Sequence, residues 1–203
     1  MSLAAEKQAL RLQMREARKA LGETEREAAA AEIAERLARA LAGRRTVMLF
    51  MSFGSEVPTD PILERLAREG HELAVPHVAE GFVMPVGYRQ GEPVVPAFRG
   101  IPEPSELRPV ELRNLDAVVV AGLAFDRNGY RLGQGGGFYD DLLRRVPVDR
   151  ERIGIVFHCQ VIREVPHGPR DERVGMVVTE RETILCGRPA VRPDCRPATS
   201  ADI

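Results

Sequence analysis

Val47-Met48-Leu49-Phe50-Met51 is an uninterrupted apolar run between polar neighbours, the pattern of a strand buried on both faces of a parallel sheet. The residues after it supply the rest of a βαβ unit. Pro58-Thr59-Asp60-Pro61 opens a helix, with Thr59 as cap and Pro61 in the first turn, where a missing N–H costs nothing. Ile62, Leu63, Leu66 and Ala67 form its apolar face, Gly70 ends it, and Leu73-Ala74-Val75-Pro76 reads as the returning strand after a right-handed crossover. The fold class is therefore α/β. Asp116-Ala117-Val118-Val119-Val120-Ala121 is β-branched and free of charge as far as Asp126, which predicts a central strand, and Ile153–Phe157 and Val174–Val178 predict two more. Ligands of open α/β sheets gather outside the carboxyl ends of the strands. Glu56, in Ser52-Phe53-Gly54-Ser55-Glu56, lies where such a ligand would sit, although alone it reads more readily as a loop carboxylate.

Composition narrows the functional classes. A chain of 203 residues suits one domain with a substantial core, expected over residues 1–187. Its 29 basic and 30 acidic side chains leave a net charge of −1, so no global field favours nucleic acid or an anionic membrane. Only Lys7 and Lys19 are lysines. Cys159, Cys186 and Cys195 are odd in number and lack C-x-x-C spacing, which argues against a disulfide framework or structural zinc and for a reducing cytoplasm. Met1 to Arg18 interleaves charge with apolar residues and fits neither a signal peptide nor a membrane span. A soluble, cytoplasmic monomer is expected. Arg188 to Ile203 places Pro189, Pro193 and Pro197 among small polar residues and reads as a disordered tail.

The densest chemistry lies in Arg131-Leu132-Gly133-Gln134-Gly135-Gly136-Gly137-Phe138-Tyr139-Asp140, which joins a fixed cation, an amide, an aromatic pair and a carboxylate to four glycines. Glycine tolerates positive φ, so successive amide N–H groups can turn toward one anion. Phe138 to Arg145 reads as a helix, whose start adds a partial positive charge. A phosphate cradle is one reading and a glycine-rich turn capping a helix is the other. The P-loop is excluded, because Gly137-Phe138-Tyr139 stands where Gly-Lys-Ser/Thr is needed, and the dinucleotide pattern fails at Phe138. Asp126-Arg127-Asn128-Gly129 reads as a turn, and Tyr130 excludes an EF-hand.

Upstream, Leu3, Leu10, Met14, Ala17 and Leu21 predict a helix ended by Gly22. A second helix is expected from Thr24, with Glu27 completing a capping box and Ala30, Ile33, Ala34, Leu37 and Leu41 facing the core before Gly43. Lys7 and Arg11, four residues apart, stack two cations on one helix face. Such a pair can grip a polyphosphate or simply be solvated.

At the glycine-rich segment the chain resembles the 5-formyltetrahydrofolate cyclo-ligase (methenyltetrahydrofolate synthetase) family, whose hallmark runs approximately Arg-Leu-Gly-x-Gly-x-Gly-Tyr-Tyr-Asp and is departed from here at Phe138. Lys7-Gln8-Ala9-Leu10-Arg11 matches the family's N-terminal Lys-x-x-x-Arg. The resemblance implies a three-layer fold of the NagB/RpiA/CoA-transferase-like type, a mostly parallel sheet with helices on both faces plus a small β excursion. It implies ATP as co-substrate held by Lys7, Arg11 and the run Arg131 to Tyr139, and Mg²⁺ at Asp140 and Asp171. It implies a reduced folate at Met51, Glu56, Gln134 and Phe138, with Arg131, Asp140 and Glu56 catalytic, and neither nucleic acid nor membrane as partner. The implied reaction converts 5-formyltetrahydrofolate to 5,10-methenyltetrahydrofolate with release of ADP and phosphate.

Two positions depart from many members: Gly136 stands where they carry lysine, and Gly175 where they carry aspartate. These keep open a family-related protein that binds nucleotide or a pterin without the reaction; a ribose-phosphate or CoA module would leave Lys7, Arg11 and Glu56 without a role. His77 to Asn114, rich in Pro and Gly, predicts the β excursion, with an edge strand at Phe82–Val86 and Ile101–Pro104 extended. His158 and Cys159 follow a predicted strand as neighbours, which would send them to opposite faces and argues against a Cys–His nucleophile.

Overall fold

The computed structural model describes residues 2–79 and 81–187, so the expected tail from Arg188 lies outside the described residues. The chain starts with α1 (Leu3–Lys19), capped by the Ser2 hydroxyl accepting the Ala5 N–H at 3.3 Å, and α2 (Glu23–Ala40). Gly22 does not end α1, which closes at Ala20; it is the capping residue of α2. No side chain caps α2, so the Thr24–Glu27 box does not form. Extended Gly22 lets the helix begin two residues earlier than a Thr24 cap would, with Glu23 and Glu25 against its positive end. Of the expected α1 stripe Met14 is buried, whereas Leu3 is exposed. The α2 face matches the expectation in full, with Ala30, Ile33, Ala34, Leu37 and Leu41 all in the core.

β1 (Thr46–Leu49), α3 (Asp60–Arg68) and β2 (Glu72–Ala79) form the expected βαβ unit, β1 pairing parallel with β2 from Thr46↔Glu72 to Met48↔Ala74. Thr59 stands at the α3 cap position without capping it. Its hydroxyl accepts the Ser52 N–H at 2.8 Å while the Ser52 hydroxyl accepts the Thr59 N–H at 3.1 Å, a reciprocal clasp that closes the 52–59 loop. β3 (Phe82–Tyr88) is an edge strand antiparallel to β2, with Pro85 opposite Pro76. β4 (Val94–Pro96) and β5 (Pro102–Pro104) form the excursion as a two-stranded antiparallel ribbon.

β6 (Ala117–Val120) is followed by a hairpin of β7 (Ala124–Asp126) and β8 (Arg131–Leu132), then by α4 (Phe138–Arg145). The hairpin turn is held by Asp126, whose Oδ1 accepts the N–H groups of Asn128 at 2.9 Å and Tyr130 at 3.0 Å. β9 (Glu151–Ile155) leads to a single 3₁₀ turn at His158–Gln160 and β10 (Val161–Ile162). His158 and Cys159 therefore sit on a tight turn rather than on a strand, and His158 Nδ1 faces Glu182 at 3.7 Å. β11 (Met176–Val178) starts two residues later than the apolar run suggests, and β12 (Thr183–Leu185) ends the described chain.

Seven strands run in the order β12-β11-β9-β6-β1-β2-β3, the inner five parallel and each outer one antiparallel to its neighbour. Alternation sets the layers. Val47, Leu49, Val119 and Ile153 pack with α2 and α3 on one face, while Met48, Val118 and Val120 pack with Leu142 and Leu143 of α4 on the other. The helices thus cover both faces, as the family resemblance implies. α1 lies elsewhere. Met14 packs with Leu123, Ala124, Leu132 and Val165, against the small β10-β7-β8 sheet that carries the glycine-rich segment.

Candidate active site

Three chain segments meet at the carboxyl ends of the parallel strands. β1 runs into Phe50, Met51 and the 52–56 loop; β6 runs into Ala121 and Gly122; β8 runs into Gly133–Gly137 and the start of α4. They enclose a cavity of about 450 Å³ that α1 borders through Lys7 and Arg11 and the β4–β5 ribbon borders through Phe98, Arg99, Ile101 and Glu103. Each site residue expected from the sequence lines this cavity: Lys7, Arg11, Met51, Glu56, the run from Arg131 to Asp140, and Asp171.

The cavity has two ends of different chemistry. At the loop end, Arg11 Nε donates to the Gly133 carbonyl at 3.0 Å and Arg15 donates to Gln134 Oε1 at 2.7 Å, so α1 fixes the loop from outside. Gly135 (φ 106) and Gly137 (φ 73) take backbone angles that side chains disfavour, and residues 134–137 are exposed to solvent. A Cβ on Gly136 would lie 2.6 Å from the Phe138 ring, so a side chain there requires a different ring position. Phe138 is itself held by the edge of Phe98, with ring centroids 5.4 Å apart, which ties the β4–β5 ribbon to the loop.

Lys7 and Asp171 form a close ion pair, Nζ reaching both carboxylate oxygens at 2.6 and 2.7 Å. Burial works against the Asp171 charge, but the Lys7 ammonium and the Gly168 N–H outweigh it and hold this carboxyl below its usual range. Asp171 is thus not the solvated surface charge that its loop position suggests. Arg131 also differs from the free fork expected of a phosphate ligand. Its side chain is 3% exposed, NH2 donates to Asp140 Oδ1 at 3.0 Å, and the guanidinium stands 5.5 Å over the Tyr139 ring. Asp140 also accepts the Glu172 N–H at 3.2 Å.

At the other end the lining is apolar, from Met51, Phe50, Pro76, Val78, Val83 and Ile101, and the cavity is also lined by Glu56 and Glu103. Burial pushes the Glu56 carboxyl above its usual range, opposed by the Phe53 N–H, which donates at 3.1 Å, and by Arg18. Burial, and then the Glu56 charge, push the Tyr139 hydroxyl up as well, so it remains a neutral donor. A carboxyl whose folded pKa is raised adds stability at low pH and loses it as pH rises from the unfolded value through the folded one. Glu56→Gln should accordingly gain in melting temperature relative to the parent as pH rises from about 4 to about 8, the unfolded carboxyl titrating near 4.3. A melting difference that is flat over that range would contradict the burial of the charge.

Three groups here were not named as site residues from the sequence. Arg18 is buried and reaches the 52–56 loop. Glu103, 3% exposed, pairs with His77 Nδ1 and accepts the Val78 N–H at 3.3 Å, pinning the ribbon to β2. Arg99 holds φ 57 at the ribbon's tip and covers the Phe98 ring at 5.1 Å. A charge flanked by prolines, as in Pro102-Glu103-Pro104, was the one available hint.

A family model described as the 5-formyltetrahydrofolate cyclo-ligase family matches residues 3–180. The chain belongs to this family. Among curated relatives, 5-formyltetrahydrofolate cyclo-ligase of Mycolicibacterium smegmatis is 30% identical over 189 residues, covering 90% of this chain and 97% of its own. The enzyme of the same name from Escherichia coli strain K12 is 33% identical over 140 residues, covering 66% and 77%. Among solved structures, 5,10-methenyltetrahydrofolate synthetase of Aquifex aeolicus superposes with a TM-score of 0.79 at 29% identity, covering 93% of this chain and 98% of that one. The cyclo-ligase fold thus spans nearly all described elements, and no helix among the described residues is long and apolar enough to cross a membrane.

Proposed function

We propose that the chain catalyses ATP-dependent cyclisation of 5-formyltetrahydrofolate to 5,10-methenyltetrahydrofolate in the cytoplasm. The observation that carries this reading is the two-ended cavity: cations and open amides at one end, an apolar wall with the carboxylates of Glu56 and Glu103 at the other. Triphosphate oxygens suit the Gly133–Gly137 amides with Lys7 and Arg11, and the donor-rich edge of a pterin suits Glu56. The formyl oxygen takes the terminal phosphoryl group and ADP leaves; N10 then attacks the formyl carbon, gives up its proton, and phosphate departs with the former formyl oxygen. No covalent enzyme intermediate is needed, and alignment with charge neutralisation supplies most of the catalysis.

The donor set fits a hard cation that arrives with the nucleotide. No group of three or more potential ligands occurs among the described residues, and Mg²⁺ commonly uses one or two carboxylates together with substrate phosphates and water. Asp140 and Asp171 would hold it here, where it would neutralise charge on the phosphate oxygens.

Purified protein incubated with 5-formyltetrahydrofolate, ATP and Mg²⁺ should accumulate the absorbance of the methenyl product. ATP binding without product would favour the second reading, a nucleotide- or pterin-binding relative, for which the absence of a loop lysine at Gly136 is the supporting observation. Within the first reading, Arg11→Ala removes a cation and a loop contact made at 3.0 Å. Its KM for ATP should rise about tenfold with kcat little changed, as for loss of one charge-assisted contact. An unchanged KM would place the triphosphate elsewhere.

A further inference from the structure

α1 enters the site twice. Lys7 and Arg11 reach the loop end of the cavity, and Arg18, two turns after Arg11, reaches the 52–56 loop at the other. Arg18 is 7% exposed and does not line the cavity; its Nε donates to Ser55 Oγ at 3.0 Å and its NH1 stands 3.8 Å from Glu56 Oε1. A guanidinium this deep is costly unless it is paired, and both of its partners lie in one short loop. That loop is otherwise held by the Phe53 N–H on Glu56 and by the Ser52–Thr59 clasp.

We infer that Arg18 is a positioning residue for the pterin end of the site: it holds the 52–56 loop and aims Glu56, so that the helix supplying the nucleotide cations also sets the folate-binding carboxylate. The inference rests on the proposed folate site. The groups facing Glu56 are few. Arg18 on α1 is the cation that opposes its burial, the Phe53 N–H comes from its own loop, and Tyr139 on α4 is a neutral hydroxyl. Around Arg18 the nearest cations are Arg15 and Arg26, which repel it, and Glu56 is the principal opposite charge. Removing Arg18 therefore leaves the carboxylate without its counter-charge while Lys7 and Arg11 keep their own contacts with Asp171 and Gly133.

The test uses the full chain and two readouts. The Glu56 carboxyl is titrated by NMR in glutamate-labelled protein without substrate, and the folate KM is followed against pH at saturating ATP. In Arg18→Met the Glu56 titration should move to higher pH. The folate KM should rise on the order of tenfold near pH 6, as expected for loss of an opposite charge at this distance. The gap should close in alkaline solution, the ATP KM should stay within about twofold, and Arg18→Lys should restore both profiles. A titration that coincides with the parent's in folded Arg18→Met overturns the inference, as does a kcat loss that is equal at every pH. Should Arg18→Met fail to fold, Ser55→Ala frees the Arg18 Nε and should move the Glu56 titration the same way, and an unmoved one overturns the inference. Absence of methenyl product from the parent enzyme would sink the proposed reaction alone, because the NMR titration reads the Arg18–Glu56 coupling without it.

Discussion

Asp140→Ala is expected to lower kcat by about 10²–10³-fold, the range seen when one preorganised electrostatic group is removed from a site that stabilises developing charge. Two effects combine in that loss. Asp140 is one of the two carboxylates proposed for Mg²⁺, and it is also the partner of Arg131 at 3.0 Å. Arg131 is almost fully buried, and its Nε has no hydrogen-bond partner among the described residues, so deleting Asp140 would strand a buried cation. Breaking one half of such a pair costs about 3–5 kcal/mol, and Asp140→Ala should melt well below the parent. Asp140→Asn separates the two effects. Its amide oxygen can still accept from Arg131 and from the Glu172 N–H, so stability should largely return, while the lost charge keeps kcat depressed by about 10²-fold. Steady-state rates and melting curves of both variants decide the matter. An asparagine variant with near-parental kcat would confine Asp140 to holding Arg131.

That doubled role marks the limit of what was legible in the sequence. The main sheet could be read because its strands are apolar runs and α3 between β1 and β2 has an apolar face with a glycine stop. Period and punctuation are local signals. The site residues could be named through the family resemblance that the Lys-x-x-x-Arg and the glycine-rich run carry, and all of them line one cavity. Their pairings could not be read, since Lys7 with Asp171 spans 164 residues and Arg18 with Ser55 spans 37. Long-range pairing depends on how α1 docks, and α1 docks on the small hairpin sheet through Met14 rather than on the main sheet. Local rules also failed where a hydroxyl had a better partner. Thr59 sits at a helix start, but Ser52 offers it a reciprocal pair of bonds that a cap cannot match. At the α2 start an extended glycine displaced the Thr24 box.

A second large effect on stability should come from Gly129→Ala, in the turn that joins β7 to β8. Gly129 holds φ 86, and a Cβ there would stand 2.2 Å from the Val174 carbonyl oxygen and 3.0 Å from the Cys186 Cβ. The left-handed backbone alone costs an alanine about 1–2 kcal/mol. The contact adds about 1–3 kcal/mol of overpacking. Relief by shifting the turn is restricted, because the Gly129 carbonyl accepts the Val174 N–H at 2.9 Å and the Gly129 N–H donates to Asp126 at 3.0 Å. Gly43→Ala supplies the control: its φ is 79, but nothing lies within 4 Å of the added carbon. The control should lose only the backbone cost. At roughly 2–4 °C per kcal/mol for a domain of this size, Gly129→Ala should melt about 10 °C below the parent and Gly43→Ala only a few degrees below. Equal melting points for the two variants would show that the turn yields freely. The consequence for function follows from what the turn supports: β8 begins at Arg131, and Val174 lies three residues beyond Asp171. Loosening the Gly129–Val174 contact should therefore weaken ATP binding at temperatures where the parallel sheet, measured by far-ultraviolet circular dichroism, is still folded.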